Sequence, residues 1–320
     1  MICVIVSWLV AMMGYRKFSI ILRMSVIPVM ALFFASLTAT GQNLTKRTDE
    51  VNQMDDSYLI ANLRYMSDYV YMGRKDSLDA PYLSPYLGYF HRSGLFIDGS
   101  VSYLLESGEN RIDMISATVG YDYFGKRIST GASTIFYLFN EDSYVIPSVM
   151  DAYLNGYIGY DFYFVELYGD VGLGLSNDLD IFGRIELRRT FFMGKDRFRI
   201  TPSANMNAGT QYYYTEYYGT RNSKVTGGNG FGGGAGSGQG GGTAFGRLIS
   251  IDNETLFQIL DYEFRLELAY KTDRLKIAAT PTVALPVNPA TVTVDDTVTF
   301  EESLSTQFYW SVSITYQLNK

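Results

Sequence analysis

Close to the C-terminus, between Leu304 and Leu318, apolar and polar residues alternate. One face of this segment carries Phe308, Trp310, Val312, Ile314, Tyr316 and Leu318, and the other carries Gln307, Tyr309, Ser311, Ser313, Thr315 and Gln317. A helix cannot present a period of two as a single apolar face, so the pattern predicts a β-strand. Strands in soluble domains usually have about 5–6 residues, whereas membrane strands have about 9–11. The length of the segment therefore favours a strand that crosses a membrane.

The same alternation recurs upstream and defines twelve candidate strands in all. The regular segments are Asp113–Tyr123, Ala152–Phe162, Val165–Leu175, Leu179–Phe191 and Leu260–Tyr270. Another runs from Phe198 to Tyr213, and five less regular ones begin near Tyr58, Tyr82, Leu95, Ile128 and Leu275.

The connections between these strands alternate between short and long. Short turns fall at Arg92–Gly94, Gly125–Lys126, near Phe162–Tyr163, at Gly194–Asp196 and at Thr272–Asp273. Longer connections fall near Arg74–Pro81, Glu106–Arg111, Asn140–Ser148, Tyr214–Thr255 and Pro286–Ser303, with a smaller one at Ser176–Asp178. Bacterial outer-membrane barrels have an even number of strands, short periplasmic turns and longer external loops. A soluble sandwich has no physical reason to sort its connections in this way.

The predicted fold is therefore all-β, a single antiparallel up-and-down transmembrane β-barrel of about twelve strands. A closed barrel pairs all of its backbone N–H and C=O groups, as hydrocarbon requires. Aromatic residues cluster near the predicted strand ends, where two girdles at the membrane interfaces would account for them. These clusters are Tyr69 with Tyr71, Tyr121 with Tyr123, Phe136 with Tyr137, Phe191 with Phe192, and Tyr212–Tyr214.

The N-terminal segment is predicted to be a secretory signal peptide covering residues 1–41. Arg16, Lys17 and Arg23 supply the positive charge, Val26–Leu37 is apolar, and the small residues Ala39–Gly41 precede Gln42. The alternatives are an N-terminal membrane anchor or a true start at Met13 or Met24. Residues 42–56 would form a short periplasmic segment and residues 57–320 the barrel. No later segment approaches the roughly 20 apolar residues of a membrane helix.

Charge and cysteine content exclude several classes of function. Removal of the leader would lower the 26 basic residues to 23 against 33 acidic residues, a net charge of −10. This balance argues against a nucleic-acid partner, which needs a basic surface. The only cysteine, Cys3, lies in the leader, so the mature chain has no thiolate for a metal site and no disulfide. No His/Cys cluster or carboxylate loop has metal-ligand spacing, and we expect no cofactor.

One short motif resembles a known family. The run Ser67-Asp68-Tyr69-Val70-Tyr71-Met72-Gly73-Arg74, followed by Pro85–Tyr89, is similar to the opening of the Gcw-chp family of outer-membrane proteins. The first strand of that family ends in Ser-Asp-Tyr-Val-aromatic-Arg-Gly, whereas here Met72 replaces the arginine and Arg74 follows the glycine. The resemblance covers about 25 residues of the chain and implies a barrel in the outer membrane, with no implied substrate.

Charged residues fall on the face predicted to line the lumen. They are Arg64 and Asp68 on the first predicted strand, Glu166 and Asp170 on the seventh, Arg184, Glu186 and Arg188 on the eighth, Arg197 and Arg199 on the ninth, Asp261, Glu263, Arg265 and Glu267 on the tenth, and Lys276 on the eleventh. One hypothesis is a pore whose charges select a polar solute. The other, which twelve strands favour, is a structural ladder of ion pairs that leaves a narrow passage.

Two other features are candidates for a functional site, a glycine-rich stretch and the histidine. The glycine-rich stretch within the predicted external loop, about residues 214–255, contains Gly228–Gly233, which fits G-x-G-x-x-G without the βαβ unit that a nucleotide site needs. It predicts a flexible loop. His91, the only histidine, adjoins a predicted periplasmic turn, which is the wrong end for a barrel hydrolase, so we expect no enzyme.

Three hypotheses about function follow from the sequence. The leading one is a narrow channel or porin-like protein for small polar solutes, embedded in outer-membrane lipid and inserted by the barrel-assembly machinery. The second is a non-conducting structural or surface-interaction barrel that displays its loops. The third is a barrel hydrolase.

Overall fold

The computed structural model describes residues 56–75, 80–106, 110–217, 249–251, 254–294 and 298–318. The predicted signal peptide, the following segment up to residue 55 and the glycine-rich stretch from 218 to 248 lie outside these residues. The strands are β1 (Tyr58–Met66), β2 (Tyr82–Phe90), β3 (Leu95–Leu104), β4 (Arg111–Phe124), β5 (Ile128–Phe139), β6 (Ala152–Asp161), β7 (Glu166–Leu175), β8 (Leu179–Arg188), β9 (Phe191–Met193), β10 (Phe198–Gly209), β11 (Ile249–Ile251), β12 (Gln258–Lys271), β13 (Leu275–Pro286), β14 (Thr291–Val294), β15 (Val298–Glu301) and β16 (Gln307–Gln317).

Twelve of these strands close into an antiparallel barrel. Strands β1 to β8 pair in chain order, β8 pairs with β10, β10 with β12, β12 with β13, and β13 with β16. The ring closes where β16 pairs with β1, with Ile60 opposite Gln317 and Met66 opposite Ser311. This is the predicted fold, and all twelve predicted strands are present. The ninth ends at Gly209 rather than at Tyr213, and residues 210 and 211 lead into a short helix at 212–217.

The predicted alternation of connections is also present. Five connections are short; one of them contains the three-residue strand β9, which pairs antiparallel with the first residues of β10. The short connections lie at one end of the barrel, which we call the turn end, and the long connections all leave from the opposite end, which we call the loop end. A second, three-stranded sheet of β11, β14 and β15 is made entirely from two of these long connections.

The outer surface of the barrel is apolar around its whole circumference. Every barrel strand exposes at least one large apolar side chain, among them Leu63, Leu87, Ile97, Val119, Phe136, Ile158, Val171, Ile185, Phe198, Leu268, Ile277 and Phe308. Successive strand residues point to opposite faces, so the polar residues between them face the lumen. A continuous exposed apolar surface far exceeds what a soluble monomer presents. The barrel is therefore embedded in a membrane.

Among the described residues, no helix is long and apolar enough to span a membrane.

Candidate functional site in the lumen and beneath its cap

Ion pairs join neighbouring strands across the lumen face of β7 and β8. Arg184 lies opposite Asp170 and binds it through two nitrogens, with Nη2 at 2.8 Å from Oδ1 and Nε at 3.2 Å from Oδ2. Arg188 lies opposite Glu166 and donates from Nε to Oε2 at 3.1 Å. The Arg188 guanidinium also donates to the hydroxyl of Tyr168 and covers its ring at 4.1 Å from the centroid. Each arginine is thus neutralised by the adjacent strand.

A second group of pairs lines β12 and β13. Arg265 donates to Glu263 two residues away on the same strand, and Glu263 also accepts from Tyr309 at 3.2 Å. Lys276 contacts both carboxylate oxygens of Glu267, at 2.9 and 3.1 Å. Four local ion pairs on the lumen face thus join Arg184 to Asp170, Arg188 to Glu166, Arg265 to Glu263 and Lys276 to Glu267.

Six predicted lumen charges lie outside these ion pairs. Arg64 lies opposite Ser313 on the lumen face, and Glu186 lies opposite Asn205 between the arginines of β8. Arg199 lies opposite Ala269, with its guanidinium 5.1 Å from the ring centroid of Phe192. Asp261 is buried and accepts a hydrogen bond from Asn207 at 2.7 Å. Two residues lie off the strands that the sequence assigned to them: Asp68, because β1 ends at Met66, and Arg197, because β10 begins one residue later, at Phe198.

These two residues belong to the connections. Asp68 follows the end of β1 and is buried, where it accepts hydrogen bonds from Lys75 and from the backbone amide of Ala80. These hydrogen bonds fix the position of the first long connection. Arg197 is exposed in the turn that precedes β10, at the opposite end of the barrel.

A cluster of buried apolar side chains, which we call the cap, lies at the loop end of the barrel. Its members are Ile146, Met150, Phe182, Tyr213, Tyr214, Tyr217, Ile251 and Ala290. All except Phe182 come from long connections, and none is more than 5 % exposed. A second buried cluster at the same end comprises Ala80, Tyr82, Leu104, Tyr144 and Val145. The polar composition of the long connections did not predict that parts of them bury apolar side chains at the loop end of the barrel.

A buried ion pair fastens the cap. Arg74 contacts Glu302 at 3.1 Å and donates to the carbonyl oxygens of Leu260 and Asn288. Glu302 in turn accepts from the Tyr214 hydroxyl at 2.6 Å and from a backbone amide at 3.1 Å. One arginine thereby links three long connections to the start of β12.

Two buried aspartates hold segments at the loop end, Asp113 in the second buried cluster and Asp180 in the cap. Asp113 accepts from Tyr82 Oη at 2.5 Å and from Arg111 Nε at 2.7 Å. Asp180 accepts from the backbone amides that begin the helix at 212–217, at 2.9 and 2.7 Å. Both carboxylates satisfy groups that would otherwise be buried without a partner.

A cavity of about 320 Å³ lies directly beneath the cap. Aromatic and methionine side chains form its walls, including the four tyrosines Tyr69, Tyr71, Tyr137 and Tyr153. Its deeper, polar part contains Asn155, Asn207 and the Asp170–Arg184 pair. Burial raises the pKa of the Tyr71 phenol well above its usual value, and neighbouring phenols raise it further, so this hydroxyl stays neutral.

The cavity corrects the prediction of two aromatic girdles. Tyr121, Tyr123 and Phe136 face outward with 45–55 % of their surface exposed, as a girdle requires. Tyr137 lies one residue from Phe136 on β5 and therefore points inward. Tyr69, Tyr71, Tyr213 and Tyr214 follow the ends of their strands and lie in the cavity walls or the cap rather than at the membrane interface.

The described residues contain no group of three or more His, Cys, Asp or Glu side chains that could hold a metal ion. His91 lies in the short turn between β2 and β3, where its Nδ1 is 2.8 Å from Ser93 Oγ and also accepts the Ser93 amide. Both contacts span two residues within one exposed turn.

No family model and no curated protein matches the chain. Among solved structures it is similar to an outer membrane channel from Pseudomonas putida F1, with 10% identity over 82% of this chain and 96% of that chain and a TM-score of 0.40. It is also similar to LpxR from Salmonella typhimurium, with 11% identity over 82% and 99% of the two chains and a TM-score of 0.38. Likeness at these TM-scores says nothing about activity or substrate.

Proposed function

We propose that the protein is an outer-membrane β-barrel of a Gram-negative-type envelope, with its loop end outside the cell. The even strand number and the sorting of short turns to one end support this proposal, because both are typical of bacterial outer-membrane barrels. Its partners would be the lipid of that membrane and, during biogenesis, the barrel-assembly machinery. The motif near Ser67–Arg74 supports a relationship to the Gcw-chp family, which we retain as a proposal.

We further propose that the barrel is a narrow, gated passage for small polar solutes. The observation that carries this proposal is a contrast between the lumen and the cap. In the strand-lined lumen, the side chains of Arg184, Arg188, Arg265 and Lys276 keep 35–38 % of their surface accessible despite their ion pairs. The cap, in contrast, is fully buried and is made almost wholly of loop segments. Movement of these segments would open the mouth without breaking any pairing between barrel strands.

The buried cap also favours a second candidate, a non-conducting barrel that displays its loops. In that case the cap would be a permanent seal and the ion-pair ladder would only stabilise the wall. We propose that the protein is not an enzyme under either alternative, since the single histidine lies in a turn at the end opposite the cap.

Planar-bilayer recording of the purified protein separates the two candidates. We expect infrequent small openings for the unaltered barrel and a severalfold higher open probability for the double variant Tyr213→Ala/Tyr214→Ala, which removes two rings from the cap. The matched control is Tyr121→Ala/Tyr123→Ala, which removes two rings from the outer face and should leave conductance unchanged. If neither the unaltered barrel nor the cap variant conducts current, the proposed passage is overturned.

Cysteine labelling tests the orientation. Glu141 lies in the long connection between β5 and β6, and Lys195 lies in the turn between β9 and β10; both are exposed. With Cys3 replaced by serine, Glu141→Cys should react with a membrane-impermeant maleimide on intact cells, and Lys195→Cys only after permeabilisation. The opposite result would invert the proposed topology.

A further inference from the structure

Four tyrosines, Tyr69, Tyr71, Tyr137 and Tyr153, line the same cavity. The Tyr153 hydroxyl lies against Gly172, which also lines the cavity, and the phenols of Tyr69, Tyr137 and Tyr153 each help to raise the pKa of Tyr71. None of the four hydroxyls forms a hydrogen bond with another described residue, and none is among the fully buried polar atoms without a partner. Accessible phenols grouped around a cavity are free to bind a ligand or water.

The chemistry of the lining selects among possible ligands. An apolar ligand would displace water from the phenols and from Asn155 and leave them unsatisfied, at a cost for each group. A charged ligand would lose its hydration without gaining a counter-charge, since Arg184 and Asp170 neutralise each other. A neutral ring that carries hydroxyl groups avoids both penalties, because its C–H faces contact the aromatic walls and its hydroxyls contact the polar groups.

The size of the cavity sets the size of this ligand. Its volume of about 320 Å³ is at the lower end of the roughly 300–1,000 Å³ of small-molecule pockets. It would hold roughly ten water molecules at about 30 Å³ each. One ring with its substituents fits this space.

We propose that the cavity beneath the cap is a binding site for a neutral polyhydroxylated ring of the size of a monosaccharide. This inference deepens the proposed function, since it names a solute class for the passage, but equilibrium binding at the site does not require conduction. The walls would be Tyr69, Tyr71, Tyr137 and Tyr153, and the Asp170–Arg184 pair with Asn155 would contact the ligand hydroxyls.

Titration calorimetry on the folded, full-length mature barrel in detergent tests the ligand class. The probes are D-glucose, N-acetylglucosamine and myo-inositol, with glucuronate as the anionic counterpart and toluene as the apolar one. At least one neutral probe should bind, and glucuronate and toluene should each bind at least tenfold more weakly. Binding of none of the neutral probes, or equal binding of glucuronate or toluene, would overturn the proposal.

Two pairs of variants locate the site. Tyr137→Phe removes one hydroxyl and keeps the ring, and should weaken binding about fivefold, the equivalent of about 1 kcal/mol. Tyr121→Phe, on the outer face of the barrel, should have no effect. A Cβ at Gly172 would lie 1.9 Å from Tyr153 Oη, so Gly172→Ala should displace that phenol and weaken binding by at least tenfold. Gly169→Ala is the control, because a Cβ there meets nothing within 4 Å.

Heat-modifiable gel mobility confirms that each variant is folded before titration. Sugar binding that is unchanged in both Tyr137→Phe and Gly172→Ala would place the site elsewhere and refute the inference. Conductance without sugar binding would refute the inference and leave the passage standing. Sugar binding at this site in a barrel that never conducts would support the inference and refute the proposed passage.

Discussion

Val119→Arg is expected to destabilise the folded barrel in lipid by about 2–4 kcal/mol, the cost of an arginine on the lipid face near the bilayer midplane. Val119 is 49 % exposed on the outer face of β4, and its neighbour across the strand pair, Ile97, is 58 % exposed. A guanidinium at this position would enter hydrocarbon without a partner. Urea titration of the protein in lipid vesicles, followed by heat-modifiable mobility, measures the free energy of unfolding.

The matched control is the same substitution one residue away. Thr118 lies on the lumen face, opposite Asp98 on β3. An arginine at position 118 would therefore meet a carboxylate in a polar space, and Thr118→Arg should cost much less than Val119→Arg. If the two variants lose equal stability, or if Thr118→Arg loses more, then the assignment of the two barrel faces is incorrect.

Arg74→Ala is expected to release the cap. Arg74 is 3 % exposed, and its removal would leave Glu302 largely buried without its cation. Breaking a buried ion pair by removing one partner costs about 3–5 kcal/mol. Hydrogen exchange measured by mass spectrometry should show faster exchange of the Ala290 amide, which donates to Glu302, and of the Tyr213 amide, which donates to Asp180.

Amides of the barrel wall should keep their protection in this variant, because the change affects the connections and leaves the strand pairing intact. Arg92→Ala, an exposed residue of the turn end, is the control and should leave exchange at the cap unaltered. The double variant Arg74→Ala/Glu302→Ala should recover part of the lost protection, since it removes both charges. If Arg74→Ala leaves cap exchange unchanged, the pair does not hold the cap closed.

The barrel wall was predictable from the sequence because a membrane strand has a local signature. A residue on β16 such as Trp310 faces lipid or lumen according to its parity alone, so the alternation determines its face without knowledge of its neighbours. Strand number, antiparallel order and the sorting of long and short connections followed from counting such segments. The sequence also predicted that ion pairs such as Arg184 with Asp170 would form, although not which partners, since oppositely charged lumen residues lie on adjacent strands.

The alternation of faces gives the direction of a side chain only within a strand, so it could not place the aromatic residues beyond the strand ends. Tyr71 and Tyr213 were assigned to interface girdles because aromatics near strand ends commonly lie there. Tyr137 is different: its parity on β5, opposite to that of Phe136, could have shown that it faces inward. Arg74 and Glu302 are more than two hundred residues apart in the chain, and nothing local marks them as partners.

The sequence by itself determined the wall: twelve alternating strands, their order and the face of nearly every strand residue, because each of these depends on a local period of two. The tertiary structure alone decided that the long connections turn into the barrel mouth. There they bury Tyr213 and Tyr214, join Arg74 to Glu302 and leave a tyrosine-walled cavity beneath. The physical reason is that these contacts are long-range, and they form only after closure of the barrel has brought the ends of its strands together.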